Sequence, residues 1–316
     1  MGPHSFSPPP STCSNCGSEK VEYFCAHCGQ RNVDMRVPAR ELMMDAVEDG
    51  LSLDSRVGRT VLPFLFRPGF LTVEWISGHR ARYSSPLRLY LLTSAVFFLA
   101  AGLTGDLGPQ FRFDEKADDA TIREVAGDLD RAGVPAGVAG AVKSGEGEAL
   151  VPAGTEEQHR KLRAQGWLGR TIDDRWQAFG KLSREDFLKR LNVAFREWIP
   201  RVMFFLVPAA VLILALLWRR RWLSEHVVLA LHLHAFAFAL FTLILVLQLL
   251  PWKGPGEFLR PLLLLGFPVY VTLALRRVHG DPWKWMLPKA FAGAVLYHLA
   301  LAVGLVATAL LALWFA

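Results

Sequence analysis

Two kinds of stretch divide the chain. Residues 87–104 and almost everything after residue 201 are apolar runs, whereas residues 105–200 mix charged, small and apolar positions as a water-exposed segment does. An apolar run of about 20 residues is the length of a helix that crosses a bilayer. Suitable windows are 87–104, 201–218, 227–250, 258–275 and 289–315, so the pattern predicts a mainly α fold, a multi-span helical membrane bundle of about five spans. The first window is barely long enough, and the fourth carries Arg260, Pro261 and Pro268.

Ahead of the first window the pattern changes twice. Residues 36–58 place apolar positions at helical spacing, as in Glu41-Leu42-Met43-Met44-Asp45-Ala46-Val47. Residues 61–76 are apolar but interrupted by Arg67, Pro68 and Glu74, which predicts a broken interfacial element; a buried soluble helix fits the same pattern. Pro86 then suits the first turn of the next helix, where its missing donor costs nothing. The expected organisation is a leader over 1–12, a metal-binding ribbon over 13–35, a cytosolic or interfacial helical connector over 36–86, a first span over 87–104, an external (periplasmic) segment over 105–200 and a bundle of spans 2–5 over 201–316.

Composition agrees with a membrane class: 52% of the 316 residues are hydrophobic, and the mean hydropathy is +0.26. All four cysteines fall between residues 13 and 28, as Cys13-Ser14-Asn15-Cys16-Gly17 and Cys25-Ala26-His27-Cys28-Gly29. Each Cys-x-x-Cys turn aims two thiolates at one point, and two such turns supply a tetrahedral zinc site. A redox dithiol needs one pair on a thioredoxin-like strand and helix, for which too few residues surround these. With four thiolates the site is closed, so one structural zinc ion is expected, folding a ribbon too small to bury a core. Asn15, Tyr23, Phe24, Gln30 and Arg31 would decorate the ribbon's surface, where a protein partner would bind.

The net charge of +6 adds orientation more than function. Arg80, Arg82 and Arg88 precede the first window, Arg219, Arg220 and Arg221 follow the second, and Arg276 and Arg277 follow the fourth. By the positive-inside rule these groups face the cytosol and meet lipid headgroups. Reduced thiols belong in the same compartment. The N-terminus is thus expected on the cytosolic side of the membrane and the C-terminus outside. The basic residues adjoin spans and do not gather on one polar domain, which argues against nucleic acid as a partner.

Within 105–200, residues 134–154 read as linker, Asp173-Asp174 as a solvated turn, and Ser183-Arg184-Glu185-Asp186 as the start of a helix with Phe187, Leu191, Ala194 and Trp198 on one face. No nucleophile, paired carboxylate or phosphate-binding loop stands out there. The third window opens with Glu225-His226 and continues to His232 and His234, and the fifth contains His298. At about 100° per residue Glu225 and His232 share a face, with His226 and His234 about 80° apart on a neighbouring one. Ionisable groups in lipid face a bundle interior, which leaves open an interhelical hydrogen-bond network, a proton or substrate pathway, or a metal site.

The motifs together resemble a known family. Cys25-Ala26-His27-Cys28-Gly29-Gln30-Arg31, Arg67-Pro68-Gly69, Gly78-His79-Arg80-Ala81-Arg82-Tyr83 through Pro86, Glu225 to His234, and Ala274-Leu275-Arg276-Arg277-Val278-His279-Gly280 look like the bacterial membrane family called domain of unknown function 3667. The resemblance covers roughly residues 13–100 and 201–280, with His79 where the family often has Lys and His279 where an aromatic residue is expected. It implies a zinc-ribbon protein of the bacterial inner membrane and carries no established activity. The expected role is therefore an adaptor or scaffold whose ribbon binds a protein partner, more in keeping with a non-enzyme; the alternative is a transporter or intramembrane enzyme that uses the histidines.

Overall fold

The computed structural model describes residues 12–19, 25–30, 55–104, 156–180, 184–249 and 255–315. These residues form α1 (Ser55–Phe66), α2 (Phe70–Ile76), α3 (Pro86–Thr104), α4 (Glu156–Arg163), α5 (Trp167–Gly180), α6 (Arg184–Leu217), α7 (Leu223–Leu249), α8 (Pro255–His279) and α9 (Trp283–Phe315). Among the described residues five helices are long and apolar enough to cross a membrane, and they coincide with the five expected windows. The protein is a multi-span helical membrane protein.

The chain falls into two compact units, Met1–Asp106 with Met203–Ala302, and Leu107–Val202 with Val303–Ala316. In the first unit α7 is the central helix and the most buried of the spans. Leu229, Ala230 and Ala235 are wholly covered, and the two alanines are small enough to let neighbouring backbones approach. Tyr90, Phe97 and Phe98 of α3 surround Phe238 of α7, with ring centroids 5.8, 5.3 and 5.6 Å away. On its other side Phe236 stacks on Tyr270 of α8, 3.5 Å between centroids and 5° between planes.

The apolar stretch 61–76 is split between α1 and α2 at Arg67-Pro68-Gly69. Phe64, Leu71 and Thr72 turn into the bundle while Leu62 and Phe66 remain exposed. Tyr270 donates its hydroxyl to the Phe64 carbonyl at 2.5 Å, and Arg277 Nη1 donates to the Pro68 carbonyl at 2.8 Å. Both bonds tie this pair of short helices to α8.

In the second unit α4 and α5 form a helical hairpin, corrected here from the sequence reading of Asp173-Asp174 as a solvated turn. Asp173 lies within α5 and is buried, accepting hydrogen bonds from His159 and Arg163 of α4. Arg163 also reaches Asp174 at 3.0 Å. The helix expected after Ser183 does not stop before the second window. It is one 34-residue helix, α6, in which Leu191 and Ala194 are buried. The linker expected over 134–154 and the connector residues 36–54 lie outside the described residues.

Candidate functional site

The four cysteines form one site. Their sulfurs lie within 4.8 Å of one another, with Cys13 to Cys28 at 3.6 Å and Cys16 to Cys25 at 3.5 Å. A metal bound to sulfur at about 2.3 Å in tetrahedral geometry sets its thiolates about 3.8 Å apart, so the spacing and the donor set both fit a metal ion. The two turns are near copies: the Gly17 amide donates to the Cys13 carbonyl and the Gly29 amide to the Cys25 carbonyl, each at 2.8 Å. Both glycines hold positive φ, 73° and 70°, which side chains disfavour and which lets the chain fold back over the sulfurs.

The thiols differ in acidity. A hydrogen bond from the Ser18 hydroxyl, then one from the Cys28 amide, lowers Cys25 to about 5, while burial pushes Cys28 up to about 11. A cation among the four sulfurs would compensate the charge of their thiolates.

Gln30, expected on the free surface of the ribbon, is turned onto its own chain. Its Nε2 donates to the Gly78 carbonyl at 2.7 Å, and its Oε1 accepts from the amides of Arg80 (3.0 Å) and Ala81 (3.2 Å). The Gln30 carbonyl meanwhile accepts from the Cys25 amide at 2.8 Å, so the residue belongs to the second cysteine turn. The side chain fastens that turn to the α2–α3 loop. Ser14, Ala26 and His27, at the turn tips, stay exposed.

The polar residues of α7 and α9 do not converge on one point. Glu225 pairs with Arg221 at 3.4 Å, and Arg221 also donates to the Val278 carbonyl at 3.3 Å. His226 is buried beside His279, with ring centroids 5.8 Å apart, and His279 stacks on Trp218 at 4.2 Å. His232 Nδ1 bonds the buried Thr72 hydroxyl at 2.9 Å. His234 Nδ1 donates to the Ala230 carbonyl at 2.8 Å, which leaves Nε2 of the neutral ring to accept from the Tyr297 hydroxyl at 3.1 Å. His298 is exposed, bonded to the Ala294 carbonyl of its own helix at 2.7 Å. Buried histidines thus link α7 to α2, α8 and α9 separately.

Of the basic residues, Arg82, Arg219, Arg220, Arg221, Arg276 and Arg277 are exposed, Arg80 is half-buried over the Trp75 ring at 5.4 Å, and Arg88 is buried. Thr72 and Tyr297 are the participants that sequence reasoning missed, and Gln30 is the one it assigned to a free surface instead of to residues 78–81. Each is an ordinary residue type whose role comes from a distant partner.

A family model described as "Protein of unknown function (DUF3667)" matches residues 54–98, from just before α1 to within α3. No curated protein and no solved structure matches the chain.

Proposed function

We propose that this chain is a zinc-ribbon adaptor of the bacterial inner membrane and belongs with the DUF3667 proteins. One zinc ion held by Cys13, Cys16, Cys25 and Cys28 organises the ribbon, and four protein thiolates leave no position open for a substrate, so the metal is structural. The observation that carries the reading is the Gln30 clip: three hydrogen bonds seat the ribbon on residues 78–81 while the turn tips face away. A ribbon fixed in orientation on a membrane bundle presents a constant face to a cytosolic protein partner. The histidines support this reading too, because His232 and His234 are each engaged by a neighbouring helix and serve as interhelical ties.

The test is affinity purification in mild detergent of the wild type, of Cys13→Ser/Cys16→Ser and of Gln30→Ala. The double cysteine variant loses zinc and its co-purifying partner. Gln30→Ala keeps zinc, because it removes no ligand, but loosens the ribbon, so amide exchange at residues 78–82 rises. Co-purification unchanged in a zinc-free variant that inserts normally would end the adaptor reading.

A further inference from the structure

A cavity of ≈ 510 Å³ opens between the Arg67-Pro68-Gly69 turn and the end of α8, lined by Pro68, Leu273, Arg276, Arg277, Gly280 and Asp281. We propose that this cavity binds the phosphate of an anionic membrane phospholipid, with an acyl chain lying along α8.

The charge of the cavity is positive in effect although it contains a carboxylate. Asp281 accepts from Lys289 Nζ at 2.7 Å and from Trp218 Nε1 at 2.9 Å, so its charge is already matched. The two guanidinium groups remain. That of Arg276 lies over the Trp283 ring, 4.1 Å from its centroid, an arrangement that orders the group without consuming its N–H donors. Arg277 is ordered by its single bond to the Pro68 carbonyl, which leaves the rest of its fork of donors for a phosphate.

The same geometry distinguishes a lipid from a soluble phosphate. Leu265, Val269 and Leu273 are exposed and lie four residues apart, so they form one stripe on α8 that ends at Arg277, four residues further on. An acyl chain on that stripe would deliver its headgroup to the guanidinium. The cavity also sits where α8 ends as a span and α9 begins, beside the exposed Trp283 and Trp285, side chains that favour the headgroup level.

The experiment is a titration of the full chain in detergent, followed by native mass spectrometry, with phosphatidylglycerol, phosphatidylcholine or inorganic phosphate. One phosphatidylglycerol per chain is expected at low lipid excess, with phosphatidylcholine clearly weaker and millimolar phosphate unable to displace it. Arg276→Gln, at an exposed position where folding is not at stake, should weaken the phosphatidylglycerol adduct by roughly fivefold, the scale of one basic group at a membrane surface. Arg219→Gln, an exposed arginine at the end of α6, serves as the comparison and should leave the adduct unchanged. Equal binding of both lipids, equal loss in Arg219→Gln, or displacement by free phosphate would each overturn the proposal, the last in favour of a soluble anion.

Discussion

Gly69 is fixed by two independent conditions. Its φ is 72°, and a Cβ built on it would stand 2.8 Å from the Ala274 carbonyl oxygen, with backbone on every near contact. Gly280 shares the first condition, φ 73°, but faces open space. Gly280→Ala should therefore cost only the left-handed conformation, about 1–2 kcal/mol. Gly69→Ala adds a backbone clash that must push the α1–α2 turn off α8, and its thermal unfolding in detergent should fall well below that of Gly280→Ala. Similar midpoints for the two variants would mean that the turn is not wedged against α8. Residues of this kind separate what a sequence shows from what it conceals. The cysteines declare themselves because ligand type and spacing encode the chemistry locally. Gln30 does not, because its partners lie 48 to 51 residues along the chain and nothing at either place marks the pairing.

The same division holds for helices. The spans were legible because an apolar run long enough to cross a membrane has few other uses, and Pro261, Pro268 and Pro288 do not prevent α8 and α9 from forming. The third span begins at Leu223, earlier than its apolar window, since Glu225 is favourable in a first turn where the helix dipole attracts negative charge. The α4–α5 hairpin was illegible, because a carboxylate reads as solvated until its cations are brought to it. The Arg163 hydrogen bond, then that of His159, holds Asp173 below the usual carboxylate range. Its stabilisation is complete above the unfolded value of about 4 and is lost as pH falls through the folded value. Amide exchange over residues 156–180 should stay slow from neutral pH down to about 4 and quicken below it. Asp173→Asn should show the faster exchange already at pH 7. Slow exchange in that variant would remove the carboxylate from the account of this hairpin.

For the whole molecule, the decisive quantity is which face of the membrane each end occupies. In the proposed topology the five apolar helices of the described residues cross the membrane and the ribbon lies on the reducing side, where its thiols stay free for a metal. The exposed Arg219 and Arg220 follow the second span and, by the positive-inside rule, favour that same side, so the proposed topology has residues 105–200 outside. Single cysteines at Ser144 and Arg220 test this with a membrane-impermeant maleimide on intact cells, and the four native cysteines act as an internal control. Label should enter Ser144→Cys in intact cells, whereas Arg220→Cys should react only after the membrane is opened, and the native thiols only once a chelator has also removed the metal. The reverse result would place the ribbon in an oxidising compartment, where paired thiols close into disulfides, and neither a zinc centre nor a cytosolic partner would survive there. The labelling pattern thus bears on the metal, the partner and the topology together, because the ribbon can serve as a docking face only where its cysteines remain thiolates.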